Sequence, residues 1–297
     1  MKTYTTNRLL LSAFAVLLTA FVFTSCQKES SSTTDTLTDE QATTYSDESA
    51  QAEASFDDVS DLAMIAAEEE GIASEGGRGY MPLFEELMLR LGPCATITVT
   101  PNDSTYPKTI TIDFGPTGCL CADGKYRRGA IVIHLTAPIR RPGAVMTTTF
   151  VDFYLNRAHI EGTKTVSNLS SGGSIKFTVQ VVGGKVTFPS GRGWQYNGLK
   201  YVAQIEGGST RTIRDDVFKI EGRSKTEFNS GVTVNLNTET PLIKKVVCPW
   251  ISNGTLKIKI NSRILFLDFG APNNGGCDNK ALLTWNNGNN QRLITLP

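Results

Sequence analysis

Residues 94–119 and 248–277 are two versions of one pattern: a cysteine, a strand-like run, a turn, a second strand ending Asp-Phe-Gly, and a loop closing on Gly-Cys. The first reads CATITVTPNDSTYPKTITIDFGPTGC and the second CPWISNGTLKIKINSRILFLDFGAPNNGGC, so the duplication brackets everything between them. In each copy the turn falls near the midpoint, at 102–107 and at 261–262, so folding the hairpin brings its two cysteines together. This predicts bridges Cys94–Cys119 and Cys248–Cys277, each closing a loop of about 26 to 30 residues and contributing roughly 3 to 4 kcal/mol in the chain-entropy account. Cys121 is left over, which keeps Cys94–Cys121 open as an alternative, as is a bridge between the copies from Cys119 to Cys277. Asp113 and Asp268 of the Asp-Phe-Gly triplets are expected to accept donors from the turn that follows each of them. The triplets match a kinase metal-binding signature in letters only, because the other kinase motifs are missing.

The amino end carries an address. Lys2 and Arg8 precede an unbroken apolar run over 9–23 that stops at Thr24-Ser25-Cys26. Residues 1–25 read as a secretory signal peptide, too short for a comfortable span and followed by polar sequence. Phe23-Thr24-Ser25-Cys26 resembles a bacterial lipobox, which makes Cys26 the expected lipidation site, and several acyl chains on one residue give stable anchoring. Export fits the cysteine usage, since disulfides persist in oxidising compartments. Residues 26–54 are rich in Ser, Thr, Asp and Glu without period and are expected to be a disordered acidic tether.

Charge divides the chain more sharply than its zero total suggests. Between residues 27 and 75 there are 14 acidic residues against the single Lys28, and beyond residue 75 there are 15 acidic and 26 basic ones. A basic body on an acidic leash could meet an anionic surface such as lipopolysaccharide, acidic glycan or nucleic acid, or its charges could be dispersed over solvated faces and screened by the leash. Nucleic acid is the least expected of these partners.

Residues 55–93 read as a short helical segment. Over 55–70, early acids and Val59, Leu62, Met64, Ile65 and Ala66 at near-helical spacing predict an amphipathic helix. Its terminal acids, Glu68, Glu69 and Glu70, oppose the helix dipole, so it should be marginal unless it packs on the body. A second helix is expected over 81–91, stopped by Gly92-Pro93. From residue 94 to 297, β-branched and aromatic residues alternate with polar ones and turns recur every ten or so residues. This predicts an all-β antiparallel meander forming a large sandwich or two fused sheets, with the duplicated modules at 94–121 and 248–277. Gly183-Gly184 and Asn229-Ser230-Gly231 suit hairpin turns. Three Ile-Glu-Gly echoes, at Ile160, Ile205 and Ile220, read as sheet punctuation.

Chemistry is sparse. His134 and His159 are the only histidines, no Gly-x-Ser-x-Gly elbow is present, and Cys119-Leu-Cys121 lacks the spacing of a metal site, so no catalytic residue, metal or cofactor is predicted. The clustered acids of the central sheet, Glu206, Asp215, Asp216 and Glu221, leave a carboxylate-pair glycan hydrolase as the enzymatic alternative. Trp194 and Tyr196 share a face if extended, with Arg192 and Lys200 nearby, an arrangement suited to stacking on a sugar and equally to packing in a core. Lys125, Arg127, Arg128, Arg140 and Arg141 form a second basic cluster.

The paired modules, the Thr-Thr-Phe-Val-Asp-Phe-Tyr strand at 148–154, Ile-Glu-Gly-Thr at Ile160 and the closing Gly-Gly-Cys-Asp-Asn-Lys at Gly275 resemble a group of lipoproteins from Bacteroidota. The likeness covers 94–297 and implies export and a β-rich body, with no catalytic or binding residue carried over. Asp-Thr-Leu at Asp35 and Asp-Ser-Thr at Asp103 resemble the short O-glycosylation sites of the same bacteria. The expectation is a non-enzymatic, disulfide-clamped lipoprotein of the outer membrane, on its periplasmic face or at the cell surface, with a binding or structural role. A glycan or lipopolysaccharide is its expected partner, or lipopolysaccharide the surface on which it docks as a scaffold.

Overall fold

The computed structural model describes residues 37–75, 80–208, 215–248, 250–271 and 273–296. The expected signal peptide, Cys26 and the tether through residue 36 lie outside the described residues. The first element is a 37-residue helix, α1 (Asp39–Glu75), followed by α2 (Glu85–Leu91) and a 3-10 turn (Gly92–Cys94). Strands follow: β1 (Thr96–Thr100), β2 (Lys108–Asp113), β3 (Cys119–Leu120), β4 (Tyr126–Leu135), β5 (Val145–Leu155), β6 (Ala158–Asn168) and β7 (Lys176–Thr187). The rest are β8 (Gly193–Glu206), β9 (Val217–Phe228), β10 (Thr233–Lys245), β11 (Asn253–Ile260), β12 (Arg263–Asp268), β13 (Lys280–Trp285) and β14 (Asn290–Thr295). The all-β antiparallel meander expected from the sequence forms, as a single open sheet and not as a sandwich or two fused sheets. Its strands join in one open 14-stranded sheet in chain order, with short β3 hanging on β4 while β2 pairs with β4 directly.

Residues 39–54 are not a disordered tether: they are the first part of α1, and the short helix expected over 55–70 is its continuation. Ala42, Ser46, Ser49, Ala52, Phe56, Val59, Ala63, Ala66 and Glu70 are all buried, and their steps of three or four residues draw one stripe along the helix. The amino half of that stripe is small and polar, so it carries little hydrophobic signal, and its serine hydroxyls are hydrogen-bonded within the helix and to the sheet. Ser46 Oγ donates to the Ala42 carbonyl at 3.0 Å and Ser49 Oγ lies 3.0 Å from Thr226 Oγ1. The helix opens on a capping box: Thr38 Oγ1 accepts from the Gln41 amide at 3.2 Å, and Gln41 Oε1 accepts from the Thr38 amide at 2.9 Å.

A helix of this length extends about 55 Å, and the ten strand spacings from β2 to β13 amount to roughly 48 Å. The match lets α1 cross the strands. Its first residue, Asp39, accepts from Trp285 Nε1 on β13 at 3.0 Å, while Glu70 lies 3.4 Å from Lys108 Nζ on β2. Between these ends Phe56 stacks on Tyr196 of β8 with centroids 5.1 Å apart, and Asp58 pairs with Arg127 of β4 at 3.0 Å. The acids at the carboxyl end are each answered by the body. Glu68 pairs with Arg140 at 3.0 Å, Glu69 accepts the Glu86 and Leu87 amides at the start of α2, and buried Glu70 meets Lys108 and the Tyr106 hydroxyl. Among the described residues no helix is long and apolar enough to cross a membrane.

Both hairpin clamps form, as Cys94–Cys119 and Cys248–Cys277, which leaves Cys121 a free, buried thiol. The triplet aspartates fix the loops as expected: Asp113 Oδ1 accepts the Gly115 amide at 2.8 Å, and Asp268 Oδ1 accepts those of Gly270 and Ala271 at 2.9 and 3.1 Å. Asn229-Ser230-Gly231 turns between β9 and β10. Gly183-Gly184 does not turn the chain; it is a bulge inside β7. The reason is space, because a Cβ on Gly184 would lie 2.6 Å from the Tyr196 carbonyl and 2.8 Å from Phe56 Cζ.

Candidate functional site

Strand alternation decides what faces α1. On β6, Ile160, Lys164, Val166 and Asn168 share the buried phase; on β8, Lys200 follows buried Trp194 and Tyr196 at even positions; on β10, Lys244 follows buried Leu242. The three lysines line one cleft of about 440 Å³ beneath the helix. Asp57, Ser60 and Asp61 of α1 form its opposite wall, and Val202, Ile220, Leu242, Leu256 and Phe269 contribute apolar lining. Phe269 belongs to the second Asp-Phe-Gly triplet, so the clamp that ends at Cys277 also shapes the cleft.

The Lys164 side chain is only 3% exposed. Its ammonium donates to the Phe56 carbonyl at 2.9 Å and lies 3.6 Å from Asp57. Burial lowers its pKa to about 8, against the pull of Asp57 and with the help of neighbouring Lys200. Lys200 Nζ is 3.2 Å from both Asp57 oxygens. Burial pushes the Asp57 carboxyl up, but the ammoniums of Lys200 and Lys164 outweigh it and hold the group below its ordinary value. Burial also lowers Lys244, whose ammonium donates to the Cys248 carbonyl at 2.6 Å.

Among the described residues the lining carries Lys164, Lys200, Arg223 and Lys244 together with Asp57 and Asp61, above apolar surface. A glycosidase needs two carboxylates flanking the bond it breaks. Asp57 and Asp61 sit on adjacent turns of one helix, hence on one wall, and the facing wall is lysine. The two described carboxylates therefore do not face each other across the cleft.

The residues singled out in the sequence go elsewhere. Trp194 and Tyr196 are each 2% exposed, packed under α1 as core. Trp194 meets Phe188 and Phe228 edge-on, at 5.2 and 5.8 Å between centroids. Neither ring is a stacking surface, because the buried phase of β8 turns both toward the helix. Arg192 is exposed between β7 and β8 and pairs with Glu48 of α1. Of the clustered acids, Glu221 pairs with Lys219 at 2.7 Å and Asp216 accepts from Gln204 Nε2 at 2.8 Å. His159 stacks on Tyr154 at 4.6 Å, and exposed His134 reaches Thr109 Oγ1 at 3.4 Å. Much of the second basic cluster is engaged by the helix: Arg127 and Lys125 by Asp58, Arg140 by Glu68, Arg141 by Glu75. Among the described residues one grouping has metal-ligating geometry, Cys94, Cys119 and Cys121, and two of its sulfurs are joined in the disulfide.

Sequence reasoning missed Asp57, Asp61, Lys164 and Lys244. A lysine in phase with the buried residues of an alternating strand was the signal that could have found Lys164. Compared with known proteins, the chain matches no family model, no curated protein and no solved structure.

Proposed function

We propose that this chain is an exported, lipid-anchored envelope protein that binds a small ligand in the cleft between α1 and the sheet and performs no reaction on it. The observation that carries the reading is Lys164, an ammonium almost wholly buried beside about 440 Å³ of open space. Keeping a charge in such a place is costly, and perturbed ionisable groups gather where proteins bind or react. The cleft falls within the size range of small-molecule sites. The apolar run at 9–23, the lipobox-like 23–26 and the resemblance to Bacteroidota lipoproteins support export and anchoring at Cys26 in the outer membrane.

Native mass spectrometry of the protein isolated from its own envelope tests the binding reading. A bound mass is expected on the wild type and not on Leu256→Trp, which fills the cleft. A wild type that carries nothing and gains no thermal stability from any member of a metabolite library would sink it. Metabolic labelling with an alkyne fatty acid tests the anchor, with label expected on the wild type and none on Cys26→Ala.

A further inference from the structure

We infer that the protein binds a pyranose sugar in a second cavity, at the amino end of α1, with the sugar ring stacked on Trp285 and its hydroxyls held by Asp39, Arg263 and Asn287. The cavity measures about 360 Å³, and among the described residues it shares no lining residue with the cleft under the middle of the helix. Strand phase explains the open ring. Ala281, Leu283 and Trp285 alternate onto one face of β13; the first two are buried, whereas Trp285 lies where α1 begins and is only half-buried. Its indole N–H donates to Asp39 at 3.0 Å, which ties the ring to the first turn of the helix. Arg263 of β12 pairs with the same carboxylate, and both of these side chains are partly exposed. The Trp285 and Arg263 donors hold the Asp39 carboxyl below its ordinary value, so it is an ionised acceptor at neutral pH. Asn286 and Asn287 form the rim, from the turn between β13 and β14. Both are exposed and left-handed, with φ of 51° and 56°, and the turn closes through the Gly288 amide on the Trp285 carbonyl at 3.1 Å.

A pyranose has a face of C–H groups and a rim of hydroxyls, each of which donates and accepts. An aromatic ring covers the face by apolar burial, and its negative π surface favours the polarised C–H hydrogens. The rim needs neighbours in both roles: here the carboxylate accepts, the guanidinium donates and the Asn287 amide does both. An inorganic anion has no use for the ring. A hydrocarbon chain would strip water from the ion pair and the amides and return no hydrogen bond. A ring bordered by carboxylate, guanidinium and amides therefore selects a sugar over either.

Saturation-transfer NMR on the full chain carrying Cys26→Ser, which keeps every other residue and needs no detergent, tests this with the methyl glycosides of glucose, galactose, mannose and N-acetylglucosamine, and with glycerol as a polyol without a ring. At least one glycoside is expected to bind, with saturation strongest on the C–H protons of one ring face. Trp285→Ala should weaken it at least about tenfold, and Trp285→Phe, which keeps an aromatic ring, much less. Asn287→Gly removes the amide and keeps the left-handed turn. It should weaken the glycoside about two- to tenfold without lowering the thermal midpoint, a result that a purely structural asparagine would not give. Tyr201→Ala, which removes an exposed ring from β8, should match the wild type. Silence from all four glycosides overturns the proposal, and glycerol binding as tightly as the best of them overturns the stacking. A glycoside held equally by wild type, Trp285→Ala and Asn287→Gly sits elsewhere. One lost in Leu256→Trp is a ligand of the cleft beneath α1, which overturns this site and leaves the binding reading above standing.

Discussion

Lys164 stands where strand phase and helix docking force an amine out of water. Unfolded, it titrates near 10.5, and under α1 near 8. Between those values the unfolded chain binds the proton and the folded chain does not, so this group makes stability rise as pH goes from about 8 toward 10.5. Below about 8 both states are protonated and the penalty is constant, of order 3 kcal/mol. The difference in denaturation midpoint between wild type and Lys164→Met should therefore move in favour of the wild type between about pH 7 and about pH 10. An unchanged difference would mean that the amine is not desolvated. A second test at this scale concerns Cys121, whose sulfur lies 3.3 Å from that of Cys94. Burial pushes its thiol up, against the influence of Arg127, so it should resist iodoacetamide in the folded protein and react after unfolding. Non-reducing peptide maps should contain Cys94–Cys119 and Cys248–Cys277, and a dominant Cys94–Cys121 peptide would reverse the assignment. The midpoint position of the turns made these bridges readable in the sequence, because closing a hairpin is local geometry. Lys164 was hidden for the opposite reason: its phase was written in β6, but Asp57, its partner 107 positions earlier, is brought to it only by docking.

The elements themselves divide along the same line. β5, β8 and β13 lie within the stretch where β-branched and aromatic residues alternate with polar ones, the pattern from which the meander is predicted. Two-residue β3 is too short to leave a period, and the Gly183-Gly184 bulge looks like a turn in sequence because the same residue suits both. α1 is the larger surprise. Its amino half buries Ala42, Ser46, Ser49 and Ala52, residues whose composition reads as disorder although their spacing reads as helix. Small side chains there let the helix approach the sheet closely, and Phe56 supplies the bulk at the centre, over Tyr196 and against Gly184. Phe56→Ala should cost about 3 to 5 kcal/mol, the usual range for a fully buried ring. Gly184→Ala should also destabilise strongly, because its Cβ meets the Tyr196 backbone oxygen, which cannot step aside. Chemical denaturation of both variants checks the pair; two mild effects would mean that α1 rides loosely on the sheet.

At the scale of the whole molecule, the acidic and basic halves visible in the sequence are two faces of one internal interface. Glu48 with Arg192, Glu68 with Arg140 and Glu75 with Arg141 join α1 to the body at partly exposed positions. Pairs of this kind contribute about 0 to 1 kcal/mol each and weaken in salt. Their effect is more on where the helix sits than on how tightly it holds. Most of the hold comes from the buried stripe of α1, with Phe56 stacked on Tyr196 at its centre, and burial of that stripe is lost if the helix is removed. High salt should therefore lower stability only slightly, whereas deleting α1 should be severe. A chain starting at residue 80 is expected to aggregate or to lose near-ultraviolet circular dichroism, and a co-expressed segment 38–75 should restore a soluble, cooperatively folding complex. If the shortened chain is instead monomeric and folds cooperatively, α1 is a detachable strap. The lysine wall of the cleft would then be an open face that the helix covers, and the ligand would compete with the helix for it.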